Sequence, residues 1–340
     1  MNSASPFQQS SIKENRLALS RLLSQIESDS AQGQAALNDL FSHTGDAHLI
    51  GVTGAPGTGK SSLVNQLALQ YRREFDKRVG IVAVDPSSPF SGGAVLGDRI
   101  RMNDLVGDKD VFIRSMASRG SLGGLATATA GVVQAMDAAG FEVIFVETVG
   151  AGQAEIEIAK LAHTTIVVEA PGLGDDVQAI KAGILEIADI LVLNKADRPG
   201  IESAERALKG MLKLGHPLEK TFLHHGQSMI VDEPPQGEAA LSAWIPPLHR
   251  TIATDGTGIP ELVTLIENHK EFLQESGEWL HRDRTRIEKE LEDLLSREMM
   301  RVWRQGAQAD QWELTIQNVQ KRQLSPRKAV EIMLDRDGEK

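Results

Sequence analysis

The sequence predicts an α/β protein built on a mostly parallel β-sheet with helices on both faces. Short continuous apolar runs recur along the chain, and longer stretches with the helical period lie between them. The apolar runs are Leu49–Thr53, Val79–Val84, Val143–Val146, Thr165–Val168 and Ile190–Leu193. Strands that are apolar on both faces and alternate with amphipathic helices are typical of βαβ units, because helices cover both faces of a parallel sheet.

A helical segment is predicted ahead of the sheet. Its apolar residues recur at helical spacing. They are Ile12, Leu19, Leu22, Leu23 and Ile26. The polar stretch Ser28–Gln34 interrupts the pattern, which resumes at Leu37. We therefore expect residues 1–45 to form an amino-terminal helical extension, followed by the strand-and-helix region over residues 46–268.

The carboxyl-terminal residues 269–340 are predicted to form a helical arm. Residues 270–340 carry 14 basic and 15 acidic side chains, so the two signs nearly cancel. Apolar residues recur through this segment at Leu280, Ile287, Leu291, Leu294 and Val302. A mixed-charge helix with an apolar seam often pairs with another helix. The same seam can instead pack on its own domain, and the pattern alone leaves both arrangements open.

Composition excludes several classes of protein. The 340 residues are 41% apolar and 24% charged, which is ordinary for a globular protein in water. The longest apolar runs have four or five residues, so no membrane association is expected. The absence of cysteine rules out disulfides and thiolate metal sites. A net charge of −11 disfavours nucleic-acid binding. Because Met1–Ser11 lacks the features of a signal peptide, we expect a cytoplasmic protein.

The strongest motif follows the first apolar strand. It reads Gly54-Ala55-Pro56-Gly57-Thr58-Gly59-Lys60-Ser61 and matches the phosphate-binding P-loop pattern between a strand and a helix. Glycines let successive backbone N–H groups point at phosphate oxygens, and the following helix directs its positive end at the same anion. We expect Lys60 to contact the β- and γ-phosphates of a nucleotide and the Ser61 hydroxyl to ligate Mg²⁺.

A second motif indicates which base is bound. Asn194-Lys195-Ala196-Asp197 directly follows the apolar run Ile190–Leu193. A carboxylate accepts hydrogen bonds from the N1–H and N2–H₂ donors of guanine, and the N1 acceptor of adenine repels it. We expect Asp197 to read guanine, the alkyl part of Lys195 to lie along the base, and Asn194 to tie this loop to the P-loop.

Acidic residues follow two further strands. Asp85 directly follows the run Val79–Val84, and Glu147 directly follows Val143–Val146 and precedes Gly150. Because ligands of open α/β sheets lie beyond the carboxyl ends of the strands, both acids are expected near the triphosphate, where they suit Mg²⁺ coordination directly or through water. The N–H of Gly150 would approach the γ-phosphate. Each acid can alternatively serve as a helix N-cap or turn acceptor.

Three glycine-containing loops are candidate switch segments at the nucleotide edge. They are Gly92–Arg99, Arg119–Gly124 and Pro171–Asp176. Asp98 in the first loop could join the Mg²⁺ shell. For each charged residue in these loops, a solvated surface position is the other interpretation.

Taken in order, the P-loop, Asp85-Pro86-Ser87-Ser88, Glu147-Thr148-Val149-Gly150-Ala151-Gly152-Gln153 and Asn194-Lys195-Ala196-Asp197 resemble the MeaB/ArgK family over nearly the whole chain. Members are G-protein chaperones of adenosylcobalamin-dependent acyl-CoA mutases. The resemblance implies a P-loop GTPase of the SIMIBI class, slow alone and accelerated by its partner. It also implies GTP, GDP and Mg²⁺ as ligands, a homodimer formed through the carboxyl-terminal arm, and binding to methylmalonyl-CoA mutase or a close relative.

The resemblance also assigns roles to individual residues. Residues Gly54–Ser62 would hold the phosphates, and Asp197 would hold the base. The loop that closes over guanine corresponds to Ile252, Ala253 and Thr254. That loop often reads Ser-Ala-x, so with Ile252 the base contact must come from backbone. Magnesium and switch acids of the family correspond to Asp85, Asp98 and Glu147, and a basic residue of a third switch loop corresponds to Lys181.

Two rival functions share the P-loop. A SIMIBI metallochaperone GTPase typically carries His-rich or Cys-containing metal sites, and this chain has no cysteine and no histidine tract. A small-molecule kinase would need a base for an acceptor hydroxyl and no guanine-reading motif, so Asn194–Asp197 argues against it. The leading hypothesis is therefore a GTP-hydrolysing chaperone that gates cobalamin loading and protects or reactivates its mutase.

Overall fold

The computed structural model describes residues 7–86, 102–105, 107–118, 122–148, 154–172, 186–215, 223–224, 227–228, 244–305 and 309–335. Within these ranges the strands are β1 (His48–Thr53), β2 (Val79–Pro86), β3 (Val111–Ser118), β4 (Val143–Thr148), β5 (Thr164–Glu169), β6 (Ile190–Leu193), β7 (Leu223–His224), β8 (Gln227–Ser228) and β9 (Leu248–Arg250). The helices are α1 (Gln9–Glu14), α2 (Arg16–Glu27), α3 (Ala31–Leu40), α4 (Lys60–Phe75), α5 (Leu122–Ala138), α6 (Ala154–Leu161), α7 (Ile201–Gly215), α8 (Ile259–Ser276), α9 (Glu278–Gln305), α10 (Ala309–Gln320) and α11 (Pro326–Asp335).

Seven of these strands form one parallel sheet in the order β3-β2-β4-β1-β5-β6-β9. The predicted parallel sheet flanked by helices is confirmed. The edge strand β3 is not among the predicted apolar runs, whereas β9 falls within the short apolar stretch Leu248–Ala253 that follows Pro246 and Pro247 in the sequence. In β3, Arg114 interrupts the apolar pattern, and its Nε lies 2.5 Å from Oε1 of Glu27 in α2. An edge strand accommodates such a residue because the sheet does not enclose it on both sides.

The two faces of the sheet are covered by different helices. In β4, Val143 and Phe145 belong to the cluster that contains α4 and α8, whereas Ile144 and Val146 belong to the cluster with α2 and α5. This alternation follows from the strand period of two residues. The predicted amino-terminal helical extension packs against α5 on one face of the sheet, and it buries Leu22 and Leu23 completely.

The described chain divides into two compact units, residues 1–284 and 285–340. The second unit holds the later part of α9 together with α10 and α11, and Trp303 and Trp312 meet edge to face with ring centroids 5.5 Å apart. Several apolar side chains of α9 are exposed, among them Leu291, Leu295, Met299 and Val302. None of the helices in the described ranges combines the length and hydropathy that crossing a bilayer requires.

Candidate nucleotide site at the carboxyl edge of the sheet

The P-loop lies between the end of β1 and the start of α4, and two of its glycines are required by space as well as by backbone conformation. Gly54 has φ +137, and a Cβ there would lie 2.1 Å from the carbonyl oxygen of Val168. Gly59 has φ +94, and a Cβ there would lie 2.5 Å from Nδ2 of Asn194. Both positions favour glycine in conformation and exclude a side chain. The loop backbone is thereby fitted closely against β5 and the Asn194 loop.

Lys60 begins α4 and is only 5% exposed. Its Nζ donates to the carbonyl oxygens of Gly54 at 2.9 Å and Ala55 at 3.0 Å, so the ammonium lies against the loop. Thr58 Oγ1 donates to Ala55 O at 3.0 Å and tightens the same turn. A buried ammonium beside the amino-terminal end of a 16-residue helix is an arrangement that attracts phosphate.

Two buried hydroxyl contacts join the P-loop region to the end of β4. Ser61 Oγ donates to Glu147 Oε1 at 2.6 Å, and Thr148 Oγ1 donates to Thr53 Oγ1 at 3.1 Å. Glu147 is 1% exposed and Ser61 is 7% exposed. A carboxylate and a hydroxyl are the oxygen donors that Mg²⁺ prefers, so this pair fits that ion. Asp85 lies in β2 at the same edge, where its backbone pairs with Ala117.

Asn194 connects three loops at this edge. Its Nδ2 donates to Thr58 O at 2.8 Å, so Asn194 ties its own loop to the P-loop, as the sequence predicts. Its Oδ1 accepts from Thr251 Oγ1 and from the Ala253 N–H, each at 3.1 Å. The next residue, Lys195, has φ 58 and donates from Nζ to Gly57 O at 2.5 Å. A left-handed lysine is uncommon and is typical of a functionally constrained turn.

The loop after β9 is closed by its own backbone. Ile252 N donates to Thr257 O and Gly256 N donates to Ile252 O, both at 3.0 Å. Thr257 N donates to Asp255 Oδ1 at 2.9 Å. Ile252 takes part in this loop through its backbone. The structure thus places Ile252 and Ala253 beside the Asn194 loop.

The remaining predicted residues fall into two groups. Pro56, Thr254 and Asp197 are exposed at this edge, and Ser62 is partly buried in the first turn of α4. Asp98, Gly150 and Lys181 lie outside the described residues, as does the side chain of Asp85. The three predicted switch loops are in large part outside them as well.

Thr58 and Thr254 at this edge were predicted from the sequence, but no role was predicted for Thr53, Thr148 or Thr251. Thr53 and Thr148 are the last residues of β1 and β4, and Thr251 follows β9 directly. A threonine that closes an apolar run beside a phosphate-binding loop is the signal that would have identified them.

A second buried polar cluster lies at the opposite, amino-terminal edge of the sheet. His48 Nε2 and His269 Nδ1 contact Thr164 Oγ1 at 2.8 and 2.9 Å. His163 Nδ1 accepts from Leu49 N at 3.1 Å, and its Nε2 contacts Asp283 Oδ1 at 2.9 Å. All three histidines are at most 2% exposed. They come from separate segments of the chain, so no local pattern predicts their meeting.

The start of α9 is held at this second edge. Arg282 donates from Nη1 and Nη2 to the two carboxylate oxygens of Asp189, each at 2.8 Å, and from Nη1 to His163 O at 2.6 Å. Trp279 stacks on His163 with ring centroids 3.8 Å apart. Burial raises the pKa of Asp189, but the contacts from Arg282 and His269 outweigh it and lower the pKa to about 2. Asp189 is therefore a fixed negative charge with its own counter-ion.

Comparison with known proteins gives a consistent family. The model described as "Methylmalonyl Co-A mutase-associated GTPase MeaB" matches residues 19–308. A protein of Pyrococcus horikoshii whose name describes a GTPase is 43% identical over 95% of this chain and 95% of its own length. The GTPase ArgK of Escherichia coli is 41% identical over 54% of this chain and 56% of its own. A crystal structure described as a LAO/AO transport system kinase superposes with TM-score 0.69, 25% identity and 98% coverage of both chains.

Proposed function

We propose that this chain, which belongs to the MeaB family of GTPases, uses GTP binding and hydrolysis to gate cobalamin loading of an adenosylcobalamin-dependent acyl-CoA mutase. The family description names methylmalonyl-CoA mutase as the associated enzyme, and the match covers most of the chain. The observation that carries the nucleotide part is the set of hydrogen bonds from Asn194. These bonds hold the P-loop, the base-reading loop and the loop after β9 in one arrangement.

The base is proposed to lie beside Asn194–Asp197. Asp197 is exposed at this edge, where its carboxylate can accept from guanine. Lys195 is held in a left-handed turn beside Gly57, so its alkyl part can cover one face of the base. Ala253 N already donates to Asn194, which sets the position of the backbone that follows it. Thr254 N–H is then the backbone donor that we assign to the guanine O6.

The phosphates are proposed to lie on the P-loop, from Gly54 to Ser62. On binding, Lys60 would turn from the carbonyl oxygens of Gly54 and Ala55 to the phosphate oxygens. Ser61 and Glu147 would hold Mg²⁺, with Asp85 near by, because their oxygens form a compact hard donor set. The bound ion would neutralise charge that develops on the β- and γ-phosphates during transfer to water.

The experiment is a cobalamin-loading assay with apo methylmalonyl-CoA mutase. Loading of adenosylcobalamin is followed by its absorbance in the presence of GTP, GDP or ATP. We expect loading to differ between GTP and GDP and to be indifferent to ATP. Lys60→Ala should remove the difference between nucleotides, whereas Lys209→Ala, an exposed lysine paired with Glu205, should keep it. Identical loading with GTP, GDP and no nucleotide would contradict the proposal.

Phosphate release, measured in the same reaction mixtures, tests whether the mutase acts on the GTPase. We propose that the mutase accelerates GTP hydrolysis, so the rate of phosphate release should rise when mutase is added. A rate that is unchanged at saturating mutase would contradict the partnership while leaving the GTPase assignment in place.

We also propose that the carboxyl-terminal arm forms a homodimer. The apolar residues that recur along α9 are exposed, including Leu280 at 74% and Leu291 at 61%. Leu291→Glu should convert the dimer to a monomer in sedimentation equilibrium, and Leu291→Met should leave it intact because size and polarity are kept. A monomeric wild-type chain at micromolar concentration would contradict this proposal.

A kinase activity is the second candidate, because one solved structure with a similar fold is described as a transport system kinase. Product analysis separates the two reactions. With GTP labelled in its γ-phosphate, free phosphate as the sole labelled product supports the GTPase, and transfer of the label to a small acceptor would support the kinase.

A further inference from the structure

The P-loop is bracketed by hydroxyl contacts to two consecutive residues of β4. Thr53 is the residue before the loop and Ser61 follows its lysine. Thr53 accepts from Thr148, and Ser61 donates to Glu147. The loop is therefore attached to the end of β4 at both of its ends, through adjacent β4 residues.

The register of the sheet explains why these threonines meet. In the β1–β4 ladder, Gly51 lies beside Val146 and Val52 lies beside Glu147. One step further brings Thr53 beside Thr148, so the two side chains share a face of the sheet. Both are fully enclosed, at 0% and 1% exposure, and their Oγ1 atoms are 3.1 Å apart. A hydroxyl pair in such surroundings is protected from competing water.

The position of this pair gives it a consequence for Glu147. Glu147 and Thr148 are neighbours on one strand, so their side chains point to opposite faces. The hydrogen bond from Thr148 attaches the end of β4 to β1 one residue after Glu147, in addition to the backbone pairing of the sheet. This side-chain attachment is therefore well placed to influence where the Glu147 carboxylate lies relative to Ser61.

We propose that Thr148 is a positioning residue for GTP hydrolysis, which acts by bonding to Thr53 and thereby holding the Glu147 carboxylate at the Ser61 hydroxyl. The inference rests on the proposed role of Glu147 and Ser61 in holding Mg²⁺. Thr148 does not itself contact nucleotide. Thr148 is expected to affect the rate of hydrolysis, which depends on where Mg²⁺ is held. The affinity for the base and for the α- and β-phosphates is expected to depend on the Asn194–Asp197 loop and the P-loop.

The first test replaces Thr148 with valine, which keeps the shape and removes the hydroxyl. Loss of one buried hydrogen bond predicts a kcat lower by about two- to tenfold, with KM for GTP changed by less than about twofold. The Mg²⁺ concentration for half-maximal hydrolysis should rise. Thr148→Ser retains the hydroxyl and should restore both quantities.

A matched control is available in Thr129 of α5. Thr129 is 3% exposed, and its hydroxyl has no hydrogen-bond partner within the described structure. Thr129→Val makes the same chemical change at another buried threonine, one that does not bond to Thr53 or Thr148, and kcat and the Mg²⁺ requirement should stay at wild-type values.

The Thr53→Val variant completes a double-mutant cycle. If the two hydroxyls act through their mutual bond, Thr53→Val and the double variant should each match Thr148→Val, so the effects do not add. Additive effects, or a Thr148→Val enzyme with the Mg²⁺ requirement and kcat of Thr129→Val, would overturn the inference. Urea unfolding of each variant confirms that the compared proteins are folded.

Glu147→Gln separates this inference from the proposed metal role. A raised Mg²⁺ requirement in Glu147→Gln, together with wild-type behaviour in Thr148→Val, overturns the positioning role alone. A wild-type Mg²⁺ requirement in Glu147→Gln overturns the metal role, and the positioning inference with it.

Discussion

Buried polar groups lie at both edges of the sheet, but the cation at each edge has partners of a different kind. At the carboxyl edge, the buried cation Lys60 contacts main-chain carbonyl oxygens of a glycine loop. At the amino edge, the cation Arg282 forms a bidentate pair with the Asp189 carboxylate. An ammonium that contacts neutral carbonyl oxygens can move to an anionic ligand. A guanidinium that already forms two hydrogen bonds to a carboxylate has its counter-ion within the protein. The comparison indicates a binding edge and a structural edge in one sheet.

The largest expected effect breaks the binding edge. Lys60→Ala removes the ammonium that would stabilise charge on the transferring phosphate, so hydrolysis should fall by about 100-fold or more. Phosphate release at saturating GTP and Mg²⁺ measures this. The free energy of unfolding should change little, because the lysine contacts carbonyl oxygens that nearby water can also serve. Wild-type turnover in this variant would refute the assignment of the P-loop.

The next effect breaks the structural edge. Arg282→Ala leaves the Asp189 carboxylate without its guanidinium in a buried site, and we expect a loss of about 2–4 kcal/mol in the free energy of unfolding. GTP affinity should remain within about twofold of wild type, since the pair lies at the other end of the strands.

Arg297→Ala is the control for this change. Its guanidinium bonds to the backbone of its own helix at Asp293, and its loss should cost less than about 0.5 kcal/mol. Equal stability of the two alanine variants in urea unfolding would show that the amino edge does not depend on the ion pair.

A smaller effect sharpens the reading of the base. Asp197→Asn loses the charge-assisted hydrogen bonds to guanine, worth about 1.5–3 kcal/mol, so GTP affinity should fall about 10- to 150-fold. The carboxamide can donate to the 2-oxo group of xanthine, so XTP should bind the variant better than GTP does. Calorimetric titration measures both, and unchanged GTP affinity would remove Asp197 from the base site.

The smallest effect is a pH dependence at the amino edge. Burial, with the neighbouring His163, lowers the pKa of His48 well below its usual range. The other charged or titratable groups that face it are Lys270, His269 and Asp189. The folded chain thus keeps His48 neutral, whereas the unfolded chain binds a proton below about pH 6.5. As the pH is lowered below this value, protonation of His48 in the unfolded chain should decrease the free energy of unfolding by at most about 1.4 kcal/mol per pH unit.

His48→Gln supplies the comparison for this effect. The variant lacks the titrating ring, so its unfolding free energy should depend less steeply on pH between about 5 and 6.5 than that of wild type. Parallel profiles would show that His48 does not titrate differently in the folded and unfolded chains.

The sequence predicted the fold well because its buried strands are continuous apolar runs. The start of α4 at Lys60 and the tie between Asn194 and the P-loop were also predictable, since each belongs to a local motif. The edge strand β3 was missed because Arg114 interrupts its apolar pattern. The pairing of Thr53 with Thr148 could not be read from spacing, because strand register over 95 residues brings them together.

The amino edge was harder still to predict. His48 begins β1, His163 precedes β5 and His269 lies in α8, and the ion pair that holds the start of α9 joins residues 93 apart. Only packing in three dimensions makes these separate residues a cluster. The roles assigned to Asp98, Gly150 and Lys181 remain predictions from sequence resemblance.

Phosphate release from GTP and from ATP, measured with and without methylmalonyl-CoA mutase, tests the central claim most directly. The claim is that the carboxyl edge reads a guanine nucleotide and couples its hydrolysis to a mutase. The account predicts that GTP is hydrolysed slowly by the chain alone and faster with mutase, while ATP is hydrolysed no faster than by Lys60→Ala. ATP hydrolysis equal to GTP hydrolysis, with no response of either to mutase, would contradict it.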